Sequence, residues 1–219
     1  MIVGFVKLEL KNISLNIANK NIINNVNIKF ENNLIYSLVG KSGTGKTSLL
    51  NIINFLYTPS SGKIIFDGKE VCITDETEIA RLRCTEITYF QQDLSFIEGL
   101  TVLENLECFS KIKNVVFEKK DILRLAKKLD ILDILDQNVS VLSGGERQRA
   151  AFLKLLFLPS SLILIDEPTN NLDRENMNII LDSIKLLKDM RKTIIVVSHS
   201  EEVEKIADVC FKMENINEK

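Results

Sequence analysis

Apolar and polar residues alternate along the first part of the chain. Val6, Leu8 and Leu10 are followed by Ile13, Leu15 and Ile17, then by Val26, Ile28 and Phe30. This period of two predicts half-buried strands. After a turn at Asn32-Asn33, residues 34–39 form a short and nearly continuous apolar run, which reads as a parallel strand buried on both faces. A helix is expected to begin at Ser48 and run through Ile53. Pro59-Ser60-Ser61-Gly62 then breaks the chain, and Asp67-Gly68, between residues 63–66 and 70–73, signals a hairpin whose strands join the N-terminal ones in an antiparallel sheet.

Further on the period changes. Residues 74–83 read as a short polar helix, and residues 86–90 as a strand leading into Gln91-Gln92-Asp93. Residues 101–111 and 121–135 are expected to be helical; in the second, Ile122, Leu125, Ala126 and Leu129 follow the spacing of one helix face. Ser143 and Glu146 have the spacing of a capping box for a helix running to about Phe157. Two apolar strands follow: residues 162–167, ending in Asp166-Glu167, and residues 193–197, with His199 just beyond. The expected class is α/β: a mostly parallel sheet with an N-terminal antiparallel β subdomain and an inserted helical subdomain.

Gly40-Lys41-Ser42-Gly43-Thr44-Gly45-Lys46-Thr47 fits G-x-x-x-x-G-K-[ST], and it stands between a predicted strand and the helix that opens at Ser48. Glycines there let backbone N–H groups turn toward an anion, and the new helix adds its positive end. Lys46 supplies a point charge and Thr47 a hydroxyl for magnesium. Asp166 and Glu167, at the end of a strand, are the carboxylates by which such a protein delivers magnesium and water chemistry to phosphates. One carboxylate can face the metal held by Thr47 while the other stands where a water could be oriented, because adjacent strand residues point opposite ways. His199 stands at the edge where ligands collect in open α/β sheets, which favours a role near a terminal phosphate. Gly144 and Gly145 strip side chains from the start of another helix, so its N–H groups could meet a second phosphate or serve structure alone.

Composition narrows the partners. The chain has 219 residues, 45% of them hydrophobic, enough for a real core. With 28 basic and 30 acidic side chains the formal charge is -2, and no basic block points to nucleic acid or an anionic lipid surface. The four cysteines, Cys72, Cys84, Cys108 and Cys210, show no C-x-x-C spacing, so neither a zinc site nor a disulfide framework is indicated and a reducing cytoplasm is the simplest compartment. No basic start precedes an apolar leader, and no window reaches the length of a membrane span.

These ordered motifs resemble the ATP-binding cassette family over nearly the whole chain. In that family's terms, Gly40 to Thr47, with Ser48 after it, is similar to the Walker A loop that binds ATP, and Gln92 looks like the glutamine that reaches magnesium and the membrane-facing lobe. Ser143, Gly144, Gly145 and Glu146 resemble the signature motif. Asp166 and Glu167 look like Walker B with its catalytic glutamate, Asp173 lies in a segment like the loop that communicates between subunits, and His199 resembles the switch histidine. The resemblance implies catalytic roles for Glu167, His199 and Gln92, and a magnesium set of Thr47, Gln92 and Asp166. It implies one nucleotide-binding domain over residues 1–219, with the P-loop core and β subdomain in residues 1–91 and 159–219 and a helical subdomain in residues 92–158.

The family likeness also implies an ATPase and Mg2+-ATP sandwiched in a head-to-tail pair of cassettes, one copy's loop facing the other's signature helix. The expected partners are a second cassette and an integral membrane permease, with no nucleic acid. The chain would sit in the cytoplasm, on the inner face of the cell membrane. Residues 79–83, 100–105 and the run from Asp166 to Asp173 are similar to the lipoprotein-release and macrolide-export branch. The rival reading is a soluble cassette ATPase of cell division, cofactor assembly or DNA maintenance; a scaffold that senses ATP without hydrolysis fits less well with Glu167 and His199. Two departures stand out. By spacing, Ile17 falls where the family carries an aromatic residue against adenine, and Lys154 stands where an arginine is common.

Overall fold

The N-terminal alternation becomes two long antiparallel strands, β1 (Val6–Ile17) and β2 (Lys20–Glu31). A computed structural model of the chain describes residues 6–18, 20–91, 96–116, 118–170 and 172–216. Leu8 lies opposite Phe30, Leu10 opposite Ile28 and Ile13 opposite Val26, with the register shifting between Leu10 and Ile13. That shift is the three-residue step in the sequence pattern. Asn12 fills it with φ at 51°, a left-handed conformation that asparagine tolerates better than most residues, and the bulge returns Ile13 to the buried face. β4 (Ser61–Phe66) and β5 (Lys69–Glu70) complete a four-stranded antiparallel sheet in the order β2-β1-β4-β5. The second arm of the hairpin is shorter than expected. It leaves the ladder after Glu70, where the Glu78 carboxylate accepts from the Cys72 N–H at 3.0 Å and Asp75 caps α2 (Glu76–Thr85).

Five strands, all parallel, form the second sheet: β3 (Ile35–Val39), β6 (Ile87–Phe90), β7 (Leu162–Asp166), β8 (Thr193–Val197) and β9 (Val209–Lys212), in the order β6-β7-β8-β3-β9. Leu162, Leu164, Ile195 and Val197 pack on one side with α1 (Lys46–Ile53) and the antiparallel sheet, while Ile163, Ile165, Ile194 and Val196 pack on the other against helices. A strand buried on both faces has no polar side to show, which is why these segments read as unbroken apolar runs. At the far edge, Tyr36 and Phe211 stack at 5.9 Å with Phe30 edge-on to both, and the Tyr36 hydroxyl accepts from the Glu31 N–H at 2.6 Å. This joins β2 to β3 and β9.

Between β6 and β7 lie α3 (Val102–Ile112), α4 (Lys119–Lys128) and α5 (Gly144–Phe157). The helix expected over residues 121–135 stops early. Asp130 takes φ of 54°, the chain re-forms as a 3-10 turn at Leu132–Ile134, and Ile131, Ile134 and Leu135 still reach the core. The apolar spacing thus reported burial correctly and helix length wrongly. Residues 174–189 carry no assignment from the pattern, yet form α6 (Arg174–Asp189), which packs on α5; α7 (Glu201–Ile206) and α8 (Met213–Ile216) flank β9.

Lys154 carries a charge into this packing at a cost. It is 8% exposed on α5, its ammonium lies 4.3 Å from the Phe109 ring centroid, and burial, followed by the charge of Lys113, pulls its pKa down from 10.5 to about 8. A lysine that holds its proton less tightly when folded costs stability wherever the unfolded chain stays charged. That cost is full below about pH 8 and fades as pH rises toward 10.5. Its ceiling is roughly 3 kcal/mol. Lys154→Met should therefore be more stable than the parent in urea unfolding near pH ~7, with the gap closing toward pH ~9.5; a gap that does not move with pH would show that the ammonium is not the cause.

Candidate functional site

The glycine loop joins the end of β3 to the start of α1. Gly45 is the N-cap of α1 with φ of 93°, and a Cβ placed there would lie 3.0 Å from the Ile22 carbonyl oxygen of β2. Only glycine fits this turn without strain. Lys46, largely buried, curls back over the loop and donates to the carbonyls of Gly40 at 2.8 Å and Lys41 at 3.0 Å. Thr44 donates to the Lys41 carbonyl at 2.9 Å, which tightens the turn. From the far end of the chain, Glu214 of α8 accepts from the Lys41 N–H at 2.9 Å, and this contact holds the Glu214 carboxyl below its ordinary pKa.

A cleft of about 380 Å³ opens over this loop. Ser42, Gly43, Gly45, Lys46, Thr47 and Ser48 line it, with Lys20 and Ile22 from β2 on one side and Glu167 and His199 on the other. At the end of β7, an Asp166 oxygen accepts from the Thr47 hydroxyl at 3.4 Å and its second oxygen from the Tyr89 hydroxyl at 3.4 Å. Burial raises the pKa of Asp166 against these two hydrogen bonds.

Glu167 departs from the expected geometry. It is not the last strand residue: β7 ends at Asp166, and Glu167 turns left-handed at φ 48° while its N–H donates to the Val197 carbonyl at 2.9 Å. The turn, rather than strand alternation, aims its side chain. One carboxylate oxygen lies 3.4 Å from His199 Nε2, and the other is buried without a hydrogen-bond partner in the protein. Burial raises the Glu167 pKa, opposed first by the charge of His199. A half-exposed imidazole and a carboxylate with a spare lone pair therefore share the wall facing Lys46.

The other expected residues lie apart from this cleft. Ser143 caps α5, its N–H and hydroxyl both directed to Glu146 Oε2 at 2.8 and 2.6 Å, so the capping box expected from the sequence forms. None of Ser143, Gly144, Gly145 and Glu146 lines the loop cleft of their own chain. Ile17, 45% exposed, stands at the tip of the β1–β2 hairpin opposite Lys20; Lys20 lines the cleft and Ile17 does not. Asp173 caps α6. Gln92, expected to reach magnesium, lies outside the described residues, as does Asn171 beside Asp173. Sequence reasoning missed Tyr89, Lys20, Ile22 and Glu214, because each reaches the loop through folding from a distant element.

A strand–loop–helix cradle for phosphates, with a carboxylate-ended strand beside it, defines a P-loop nucleoside triphosphate-binding protein. The family model described as ABC transporter matches residues 23–170, and the chain belongs to that family, the ATP-binding cassette ATPases. It is 36% identical over 196 residues to a macrolide export ATP-binding/permease protein, MacB, of Campylobacter jejuni, covering 89% of this chain and 31% of that one. It is 34% identical over 196 residues to the lipoprotein-releasing system ATP-binding protein LolD of Buchnera aphidicola, covering 88% of this chain and 86% of the relative. Among solved structures, the dimeric ABC transporter cassette MJ0796 superposes with a TM-score of 0.82 at 27% identity, covering 94% of each chain. A second structure of that cassette is a dimeric post-hydrolysis state bound to ADP and Pi.

Gly45→Ala should lower stability by roughly 1–3 kcal/mol through backbone strain and the Ile22 contact. It should also weaken binding of a fluorescent ATP analogue at least about tenfold, measured by urea unfolding and titration. Native-like values for both would show that the turn does not depend on glycine.

Proposed function

We propose that this chain binds and hydrolyses Mg2+-ATP as the ATP-binding subunit of an export or release transporter, working as a pair of cassettes on a separate membrane permease. The observation that carries the catalytic part is the Glu167 carboxylate, with one oxygen beside His199 and the other buried and unpartnered over the phosphate loop. Leaving such an oxygen unsatisfied costs about 1–3 kcal/mol, which a bound water would recover. Glu167 would orient that water and take its proton, and its raised pKa supports the role of a base better than an ordinary glutamate would. His199 would donate to the terminal phosphate. Lys46 exchanges its two carbonyl partners for phosphate oxygens, and the loop amides and Ser48 hold the rest.

The donor set fits magnesium: the Thr47 hydroxyl and an Asp166 carboxylate are hard oxygen ligands 3.4 Å apart, and Asp166 sits in a partly desolvated place that a cation would relieve. Thr47 and Asp166, with Gln92, would hold the ion, which supplies charge neutralisation on the phosphates. Everything else is positioning by the chain's own groups.

Two copies explain the division of the site. The Ser143–Glu146 start of α5 does not face the chain's own loop, so it would face the ATP held by a second copy, with Asp173 beside the contact. The likeness to MJ0796, which forms a dimer, supports this pairing. The permease rests on the relatives: the chain spans most of LolD, described as an ATP-binding protein, and 31% of MacB, described as an ATP-binding/permease protein. Among the described residues no helix is long and apolar enough to cross a membrane. Attachment to the inner face of a membrane would therefore run through the permease, with residues 92–158 as the helical subdomain and the rest as the core.

Glu167→Gln should abolish phosphate release while trapping an ATP-bound dimer in size-exclusion chromatography; full residual turnover would remove Glu167 as the base. Tagged chain drawn from gently solubilised membranes should bring down an integral membrane protein in near-equal amount. Recovery of soluble partners alone, with ATPase activity intact, would instead favour a soluble cassette ATPase.

A further inference from the structure

Asn176, in the first turn of α6, belongs to none of the sequence motifs, yet its side chain lies against two of the groups assigned above to the face between copies, Asp173 and Gly145, and also meets Arg149. Its amide nitrogen donates to Asp173 Oδ2 at 2.7 Å, and its amide oxygen accepts from the guanidinium of Arg149 on α5. A Cβ on Gly145 would lie 3.1 Å from both the Nδ2 and the Oδ1 of Asn176, so the amide lies close against the start of α5, and a side chain at position 145 would press it back by a few tenths of an ångström. On the adjacent position of α5, Gln148 donates to the Pro168 carbonyl, next to Glu167.

Helix capping does not account for this arrangement. The cap of α6 is the Asp173 carboxylate accepting from the backbone N–H of Asn176 at 2.8 Å, and it survives any side chain at position 176. The amide adds a bridge from Asp173 across to α5. Asparagine is suited to it because one planar group donates at one end and accepts at the other. Aspartate has no donor for Asp173, and alanine has neither end.

We infer that Asn176 is a positioning residue, which fixes the Asp173 corner and the Gly144-Gly145 turn as one block so that both meet the second copy together. The inference rests on the two-copy reading proposed above. Closure on ATP needs those two groups in register, and a single short side chain sets their spacing. Losing the bridge leaves α5 and α6 packed through their apolar residues but removes the polar tie between the Asp173 corner and the start of α5.

The test uses Asn176→Ala and Asn176→Asp, each made in the native chain and in the Glu167→Gln chain. The Asp variant keeps the acceptor for Arg149, loses the donor and sets two carboxylates face to face. Both variants should weaken the ATP-dependent dimer of the Glu167→Gln chain by about tenfold or more, by light scattering against concentration. Both should lower kcat to a similar degree. Binding of a fluorescent ATP analogue to the chain's own loop should stay within about twofold, since Asn176 does not reach the cleft. Unchanged dimerisation and kcat in Asn176→Ala would overturn the inference, and so would an equal loss of analogue binding, which would mean general loosening of the fold. If the Glu167→Gln chain forms no ATP-dependent dimer, the two-copy reading falls and takes the inference with it. If that chain dimerises and Asn176→Ala matches it, the inference alone falls.

Discussion

A strand covered on both faces has nowhere to place an ionised group except its ends, and this constraint arranges the rest of the molecule. Leu162, Ile163, Leu164 and Ile165 of β7 are all 0% exposed, two toward each layer. A carboxylate among them would cost several kcal/mol unless paired. The chemistry of β7 therefore waits until Asp166 and Glu167, that of β8 until Ser198 and His199, and that of β3 until the loop at Gly40. Because β3, β7 and β8 run parallel, these ends reach one edge of the sheet. The topology that hides the middle of each strand thus gathers a lysine, a hydroxyl, two carboxylates and an imidazole around one cleft.

Much of this was legible in the chain. Unbroken apolar runs announced the buried parallel strands, period-two alternation announced the antiparallel sheet, and the glycine loop, the capping box at Ser143 and the Asp166-Glu167 pair stood out by residue type and spacing. The misses share a cause. The length of α4 and the left-handed turn at Glu167 depend on single residues leaving regular geometry, and apolar spacing reports burial without reporting backbone conformation. Tyr89, Ile22, Glu214 and Asn176 matter through partners far along the chain or on another helix. Each is an ordinary residue in its own segment, so periodicity had no means of marking it.

Glu167 shows what the site gives up in stability. Its left-handed backbone and its buried, unpartnered oxygen are both unfavourable, by about 1–2 kcal/mol for the first and 1–3 for the second. The β8 carbonyl of Val197 and the imidazole of His199 hold it there from the neighbouring strand. Strain and desolvation at a position over-determined by its surroundings are the marks of a preorganised group. Lys46 is prepared in the opposite sense. Its two carbonyl partners keep a buried ammonium satisfied, and on the proposed reading phosphate oxygens would replace them.

On the two-copy reading the start of α5 would be prepared as well, for a ligand held by the other copy. Its capping box uses the amides of Ser143 and Glu146, leaving those of Gly144 and Gly145 at a helix end where neither residue carries a side chain of its own, with open space beside Gly144 and the Asn176 amide beside Gly145. In the proposed two-copy arrangement, ATP on one copy's loop would meet this helix end only when the pair is closed. A ligand shifts an equilibrium only by the difference in its affinity for the two states. The loop, holding phosphates whether the pair is open or closed, would add to affinity and nothing to closure. The α5 end, holding them only when closed, would add directly to closure. On the proposed mechanism, hydrolysis at Glu167 would remove the terminal phosphate that this second contact meets, so the reaction that consumes ATP would also cancel the bias that brought the copies together.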